Sequence, residues 1–237
     1  QVEIMKELKK FNLPVPEILF FESNDEIIGS EFYVMKFVKG EAPSDNPPYH
    51  MDPEGMMGQA SSKQIRSVWL GWLENLVSFH KINYEDLELS LIKTRKNEKS
   101  HLQSDLQYYK SFMEWGMDGE TNFFLEEVFL WLVENLPTSS NPKKLCWGDS
   151  RIGNVLFEDF NVKSLLDWEM ATIGDPLCDL AWGLTTDDVS SHGLNIKKLS
   201  GTISNDEAIK FWEKNTGFSA DNFYYYRILC LFKFSVI

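Results

Sequence analysis

Three polar residues in the second half of the chain have the types and the spacing that phosphoryl transfer from ATP requires. Asp149 precedes Asn154 with four residues between them, and Asp167 follows at the end of an apolar run. In this chemistry one carboxylate accepts the proton of the attacking hydroxyl, while an Asn and an Asp hold Mg²⁺ on the nucleotide phosphates. The pattern therefore indicates a site that phosphorylates a hydroxyl group.

Each of these residues also has an ordinary structural explanation. Asp and Asn are common in turns, so Gly148-Asp149 and Gly153-Asn154 are weak signals when taken alone, and Asp167 could simply end an edge strand. Apolar residues on both sides of Asp167 predict a half-buried position, where a carboxylate needs a partner. Because all three residues lie beside short apolar strands, we favour the catalytic interpretation over three independent turns.

The composition of the chain limits its partners. The 237 residues are 43% apolar, which predicts a buried core, and a net charge of −13 argues against binding to a nucleic-acid backbone. No apolar run reaches the ~18 residues of a membrane span, and no secretion signal is recognisable. Three cysteines without paired spacing (Cys146, Cys178 and Cys230) are typical of reduced core residues. We therefore expect a cytoplasmic protein with a small-molecule substrate, without nucleic-acid or membrane partners.

The first part of the chain predicts a helix, a β-hairpin and a long connector. Apolar spacing favours a helix over Val2–Lys10, and strands over Glu17–Phe21 and Glu31–Val38. Glu41–Ser62 is rich in Pro and Gly, so it is expected to be irregular. From Ser61 onwards, apolar residues recur at helical spacing, which is the strongest helix signal in the sequence.

The rest of the chain predicts mostly helices, with short strands around the candidate site. Strands are expected at Lys144–Trp147, Val155–Phe157 and Ser164–Leu166. Helices are expected at Ser100–Trp115, Thr121–Asn135, Pro176–Leu184, Asp206–Asn215 and Ala220–Ile237. A small sheet-bearing part followed by a larger helical part indicates an α+β fold.

The motif region resembles a known family. The matching residues are Gly148-Asp149, Arg151, Gly153-Asn154, Asp167-Trp168-Glu169, Gly174-Asp175-Pro176 and Asp179-Leu180-Ala181. This run is similar to that of the aminoglycoside phosphotransferase and choline kinase-like family. It is most similar to the group related to the kinase domains fused to some acyl-CoA dehydrogenases. The resemblance covers nearly the whole chain.

The resemblance implies a protein kinase-like fold with two lobes. Residues 1–39 would be the remainder of a truncated N-terminal lobe, with a hinge at residues 35–40. Residues 40–237 would form the mostly helical C-terminal lobe, which we also expect to be truncated at its end. The backbone of Lys36 and Val38 would hold the adenine of ATP. The phosphate-covering loop and the ATP-binding Lys would precede Gln1, so we expect a fragment that lacks half of its nucleotide site.

The resemblance also assigns roles within the motif. Asp149 would be the catalytic base, and Asn154 and Asp167 would hold Mg²⁺. Arg151 would touch the substrate or a phosphate, although a solvated loop Arg is an equally good interpretation. Trp147 stands where the family usually has His, a residue that braces the loop. We expect Trp147 to take over this structural role.

Two alternative functions stay open at this point. The chain could be a pseudokinase or nucleotide-binding module, although the intact catalytic set speaks against degeneration. The run Gly148-Asp149-Ser150 also matches the start of Gly-Asp-Ser esterases, with Ser150 as nucleophile. The nearest acid–base pair, Asp188 and His192, is spaced by four residues rather than the usual three. The acceptor is undetermined, with a weak preference for a hydroxyacyl compound.

Overall fold

The first forty residues contain a helix and a β-hairpin in the computed structural model, which describes residues 1–89 and 101–237. Helix α1 spans Val2–Lys10, and strands β1 (Ile18–Glu22) and β2 (Phe32–Met35) pair antiparallel. The predicted helix and hairpin are confirmed. Strand β2 ends three residues earlier than predicted, and the chain continues in extended form towards Gly40.

The irregular connector ends at a well-defined helix start. Ser61 accepts a hydrogen bond from the Gln64 amide, and the Gln64 side chain accepts one from the Ser61 amide, which forms a capping box. Helix α2 then runs over Ser62–His80 and buries an apolar face together with His80 at its end. This confirms the strongest prediction from the sequence.

Within residues 101–237, the second half of the chain contributes five further α-helices. They are α3 (His101–Met117), α4 (Phe123–Glu134), α5 (Leu177–Ser190), α6 (Asn205–Thr216) and α7 (Phe223–Val236). Helix α7 packs against α3, α4 and α5. These predictions are confirmed apart from their ends, and the predicted start at Ser100 lies outside the described residues.

Helix α5 runs six residues beyond its predicted end at Leu184. The six added residues are mostly polar, so they show no apolar face that would predict a buried helix. Asp187 is nevertheless only 4% exposed, because His50 and Lys198 lie against its carboxylate. Burial raises the pKa of Asp187, but these partners outweigh it and lower the pKa overall. The polar extension of α5 therefore carries buried, paired carboxylates.

Two small antiparallel sheets position the candidate site. Strand β3 (Lys144–Cys146) pairs with β6 (Thr172–Gly174), and β4 (Val155–Glu158) pairs with β5 (Asn161–Leu165). Strand β6 was not predicted, since its residues Thr172, Ile173 and Gly174 include only one large apolar side chain and form no apolar run. Together the sheets bring the segment after β3 and the segment after β5 to the same place.

Tryptophans occupy much of the buried core. Five of the largest fully buried side chains are Trp69, Trp72, Trp147, Trp168 and Trp212. The three cysteines carry free thiols, as the sequence predicted. Within residues 1–89 and 101–237, we find no helix with the length and apolarity needed to cross a bilayer.

Candidate active site

The loop that carries Asp149 begins at a glycine that no other residue can easily replace. Gly148 has a φ of +88°, a conformation that side chains with a Cβ rarely adopt. A Cβ at this position would lie 2.2 Å from the carbonyl oxygen of Met170. The chain can therefore turn sharply after β3 and pass close to the loop that follows Asp167.

A buried carboxylate fixes the start of this loop. Asp179, in the first turn of α5, accepts hydrogen bonds from the backbone amides of Trp147 at 2.7 Å and Gly148 at 2.9 Å. Its side chain is 1% exposed and also lies 3.0 Å from Nε2 of His80. Asp179 therefore anchors the start of the loop through two of its backbone amides.

The tautomer of His80 follows from its second partner. Nδ1 of His80 lies 3.1 Å from the indole Nε1 of Trp212. An indole N–H can only donate, so Nδ1 must accept, and the imidazole proton is on Nε2, where it points at Asp179. Helices α6, α2 and α5 are thus linked to the loop by one chain of buried hydrogen bonds.

The carboxylate of Asp149 has donors on both oxygens. Oδ1 accepts from the indole Nε1 of Trp182 at 2.6 Å. Oδ2 accepts from Nδ2 of Asn154 at 2.8 Å and from Nε of Arg151 at 2.9 Å. Because each carboxylate oxygen has about two acceptor positions, Oδ1 retains one for a further donor such as a substrate hydroxyl. The structure therefore brings together the predicted residues Asp149, Arg151 and Asn154.

Arg151 is tied between two carboxylates and is not a freely solvated loop residue. Besides Asp149, its guanidinium pairs with Asp45 in the connector before α2. Burial lowers the pKa of Arg151, but Asp149 and Asp45 outweigh this effect and raise the pKa overall. The site therefore holds a fixed positive charge next to the candidate base.

The β4–β5 hairpin brings the two predicted metal ligands close together. The Leu166 amide donates to the carbonyl of Asn154 at 2.9 Å, so Asp167 follows directly after a residue bonded to Asn154. Asp167 has a φ of +57°, an uncommon conformation that Asp tolerates better than most residues. Among the described residues, we find no hydrogen bond or ion pair to its carboxylate.

These two side chains fit a magnesium ion held mainly by phosphates. The Asn154 amide nitrogen is engaged with Asp149, so its oxygen would be the atom that faces a metal, with the Asp167 carboxylate as the second ligand. Mg²⁺ prefers such hard oxygen ligands and usually takes only one or two carboxylates from the protein. Among the described residues there is no group of three or more His, Cys, Asp or Glu that could hold a metal ion.

Trp147 braces the segment that carries Asp167. Its indole Nε1 donates to the carbonyl oxygens of Leu166 at 2.8 Å and Asp167 at 2.9 Å. Its ring stacks on Trp168 with centroids 5.3 Å apart. The expectation that Trp147 serves a structural role in place of His is confirmed.

The environment of Ser150 is incompatible with the esterase alternative. Ser150 is 0% exposed, and its Oγ donates to the carbonyl of Asp179 at 2.6 Å. His192, the suggested partner, is exposed and lies 3.8 Å from Asp188 in the ion-pair cluster of α5. Ser150 is a buried structural residue and not a nucleophile.

Lys36 and Val38 lie in the extended segment between the hairpin and the helical part. The Lys36 amide donates to the Glu17 carbonyl at 2.8 Å. At the other end, Glu41 and Phe157 exchange two backbone hydrogen bonds of 2.8 Å. The segment is thus anchored to β1 and to β4.

Sequence reasoning missed two members of the site. Trp182 follows Asp179 by three residues, which places both on one face of α5, so helical spacing could have revealed it. Asp45 lies in an irregular connector more than a hundred residues from Arg151, and no local pattern indicates their pairing.

The chain combines a small sheet with a larger helical part. An Asp–Asn pair lies on one loop, and a further Asp follows the next hairpin. This combination is typical of kinase-like phosphotransferases. The sequence matches the profile of the phosphotransferase enzyme family over residues 1–197. The chain belongs to this family.

The similar curated proteins are longer than this chain. Acyl-CoA dehydrogenase family member 11 is 26% identical over 249 residues in Homo sapiens and 27% identical over 251 residues in Gallus gallus. Both alignments cover 100% of this chain and 30% of the relative. The chain therefore spans less than a third of the length of these relatives.

Solved structures share the fold at low identity. A candidate aminoglycoside phosphotransferase of Ralstonia eutropha has a TM-score of 0.79 at 18% identity, covering 99% of this chain and 70% of that one. An ethanolamine kinase of Plasmodium vivax has a TM-score of 0.63 at 15% identity, covering 99% of this chain and 63% of that one. An aminoglycoside phosphotransferase of Streptomyces rimosus, solved with ADP and streptomycin, has a TM-score of 0.62 at 14% identity. That match covers 98% of this chain and 81% of the other. The predicted α+β, protein kinase-like fold is confirmed.

Proposed function

We propose that the protein transfers the γ-phosphoryl group of ATP to a hydroxyl group of a small molecule. The observation that carries this proposal is the arrangement around Asp149. Its carboxylate is held by Trp182, Arg151 and Asn154, yet keeps an acceptor position on Oδ1. The phosphotransferase family to which the chain belongs supports the same reaction.

In the proposed step, the acceptor hydroxyl donates its hydrogen bond to Asp149. The hydroxyl oxygen forms a bond to the γ-phosphorus, the bond from that phosphorus to the ADP oxygen breaks, and the hydroxyl proton passes to Asp149. ADP leaves with the electron pair of the broken bond. Catalysis then rests mainly on positioning and on stabilisation of the charge on the phosphates.

The remaining site residues receive their roles from the same reaction. Asn154 and Asp167 would hold Mg²⁺, which neutralises phosphate charge when bound. Arg151 carries a fixed positive charge beside Asp149 and would contact the transferred phosphate or the acceptor. The Lys36 carbonyl and the Val38 amide would hold the adenine. Residues 1–39 and 40–237 would be the two lobes that close on the nucleotide.

We propose a hydroxyacyl compound as the acceptor. We also propose that the protein acts in the cytoplasm. The names of the acyl-CoA dehydrogenase relatives, whose alignments cover all of this chain at 26% identity, support an acyl group. The alternative of a nucleotide-binding module without turnover keeps the same site but predicts ATP binding without phosphorylated product.

Asp167→Asn tests the metal site separately from turnover. The change removes a negative charge from the proposed Mg²⁺ site but suits the backbone, since Asn also tolerates the left-handed conformation. We expect the Mg²⁺ concentration needed for half-maximal binding of a non-hydrolysable ATP analogue to rise at least ~10-fold. Titration calorimetry on the full-length protein measures this.

Asp159→Asn is the matched control for this change. Asp159 is exposed in the β4–β5 turn and has a φ of +50°, so the substitution and the backbone conformation are the same. It is expected to leave the Mg²⁺ requirement unchanged. An equal Mg²⁺ requirement in Asp167→Asn and the wild type would remove Asp167 from the metal site.

A further inference from the structure

Helix α5 holds the start of the catalytic loop, because each residue from Trp147 to Ser150 is hydrogen-bonded to it. Asp179 accepts from the first two backbone amides, and its carbonyl accepts from Oγ of Ser150. The indole Nε1 of Trp182 donates to Asp149 at 2.6 Å. Trp182 follows Asp179 by three residues, so both side chains leave the same face of the helix. One helix therefore positions the backbone of the loop and the carboxylate that the loop carries.

The bond from Trp182 reaches a different kind of group from the other three. Those bonds hold two backbone amides and the hydroxyl of Ser150, which is fully buried. The Trp182 bond holds the carboxylate of Asp149, the candidate base. Loss of this bond is therefore expected to disturb the reacting group, whereas loss of the others disturbs the fold of the loop.

Hydrogen bonds to both oxygens fix the plane of the Asp149 carboxylate. The torsion angle that turns a carboxylate has broad minima, so the rotamer alone does not set this plane. Oδ2 accepts from Asn154 and Arg151, and Oδ1 accepts from Trp182. A carboxylate held through one oxygen can still tilt about it, and a donor on the second oxygen prevents this. Trp182 therefore sets the direction of the acceptor position that is left on Oδ1.

An indole is well suited to hold a catalytic carboxylate. Trp182 is 3% exposed, and a hydrogen bond to a charged acceptor is stronger than a neutral one, especially where water is excluded. An indole N–H can only donate, so unlike a hydroxyl group it cannot take up a proton itself. The proton of an acceptor hydroxyl is thus left to Asp149.

Helix α7 restrains the indole ring. Nζ of Lys233 lies over the ring, 5.1 Å from its centre, and the centre of the Phe234 ring lies 6.4 Å away. A cation is attracted to the face of an indole and not to its edge, so this contact favours one orientation of the ring. The direction of the N–H bond therefore depends on how α5 packs against α7.

We propose that Trp182 is a positioning residue for phosphoryl transfer, which acts through Asp149 by making Oδ1 the oxygen that takes up the proton of the acceptor. This role rests on the proposed phosphotransfer. Loss of the indole N–H then slows turnover without weakening the binding of ATP. It has no further effect where the Asp149 carboxylate is already absent.

A double-mutant cycle on the full-length protein tests this role. The wild type, Trp182→Phe, Asp149→Asn and the double variant are compared by their kcat and KM with MgATP. A panel of hydroxyacyl-CoA thioesters, ω-hydroxycarboxylates, diols and amino alcohols is screened first, and the compound that the wild type phosphorylates fastest serves as acceptor. Circular dichroism establishes that each variant is folded.

Two further variants separate the N–H group from the packing of the ring. Replacement of Trp182 by 3-benzothienylalanine puts sulfur in place of the N–H and keeps the size of the ring. Trp131→Phe is the matched control, since the Trp131 ring also packs on α7, where it stacks on Tyr225 with ring centres 6.1 Å apart. It makes the same exchange against the same helix.

We expect Trp182→Phe to lower kcat at least ~10-fold, because a displaced base is out of line with the hydroxyl. The KM for ATP and for the acceptor should stay within ~3-fold, as for an interaction that matters in the transition state. Benzothienylalanine should cause the same loss, and Trp131→Phe should change kcat by less than ~2-fold. In the Asp149→Asn background, Trp182→Phe should lower kcat by no more than ~2-fold.

The outcomes separate this role from the proposed reaction. Product from the wild type together with equal losses from Trp182→Phe in both backgrounds would overturn the positioning role and leave phosphotransfer intact. Full turnover by the folded benzothienylalanine variant would do the same. Absence of any phosphorylated product from the wild type across the panel would contradict phosphotransfer itself, and the positioning role with it.

Discussion

Asp149→Asn is expected to lower kcat/KM for phosphoryl transfer by at least ~100-fold in the full-length protein. The amide cannot take up the hydroxyl proton. Its NH₂ group would also face one of the donors that now surround the carboxylate, namely Trp182 on Oδ1 or Arg151 and Asn154 on Oδ2. The base and its orientation are lost together. Steady-state rates of ADP formation with a competent acceptor measure the effect.

Asp45→Asn is a graded comparison, since it removes the other carboxylate that pairs with Arg151 and leaves Asp149 in place. Asp45 is more exposed than Asp149; it pairs with Arg151, and its carboxylate also lies close to Gly153. Its effect on kcat/KM should be much smaller. Near-wild-type turnover by Asp149→Asn would show that another group accepts the proton.

Asp179→Ala is expected to destabilise the protein by about 3–5 kcal/mol. Its carboxylate is 1% exposed and satisfies two backbone amides, those of Trp147 and Gly148, together with His80. Alanine would leave these buried donors without an acceptor, and the loop that carries Asp149 would lose its anchor. Urea unfolding followed by tryptophan fluorescence gives the free energy of unfolding.

Asp221→Ala serves as the control for this change, because Asp221 is exposed just before α7. A surface change of this kind should alter the free energy of unfolding by no more than about 0.5 kcal/mol. If Asp179→Ala changed stability as little as Asp221→Ala, the loop would have another anchor.

Local sequence patterns predicted the parts of the site that lie close together in the chain. Asp149 and Asn154 share one loop, and the β4–β5 hairpin that carries Asp167 to them is itself local. The capping residue Ser61 and the apolar face of α2 likewise follow from neighbours within a few turns. Such features depend on spacing, which a single sequence displays.

Contacts between distant segments were not predictable in the same way. The pairing of Arg151 with Asp45 and the position of the Lys233 ammonium over the Trp182 ring depend on how the helices pack. Strand β6 exists because β3 pairs with it, not because its three residues favour a strand. Helix α5 was predicted too short, since the buried pairing of Asp187 is invisible in its own periodicity.

The most direct test of the central claim is transfer of the labelled γ-phosphate of ATP to hydroxylated small molecules by the full-length protein. The panel should contain hydroxyacyl compounds, hydroxycarboxylates, diols and amino alcohols, and the product should be identified by phosphorus NMR. The phosphotransferase account predicts a phosphate monoester on an acceptor hydroxyl, formed only with Mg²⁺ and abolished in Asp149→Asn. ATP binding without any phosphorylated acceptor across the panel, or equal product formation by Asp149→Asn, would contradict it.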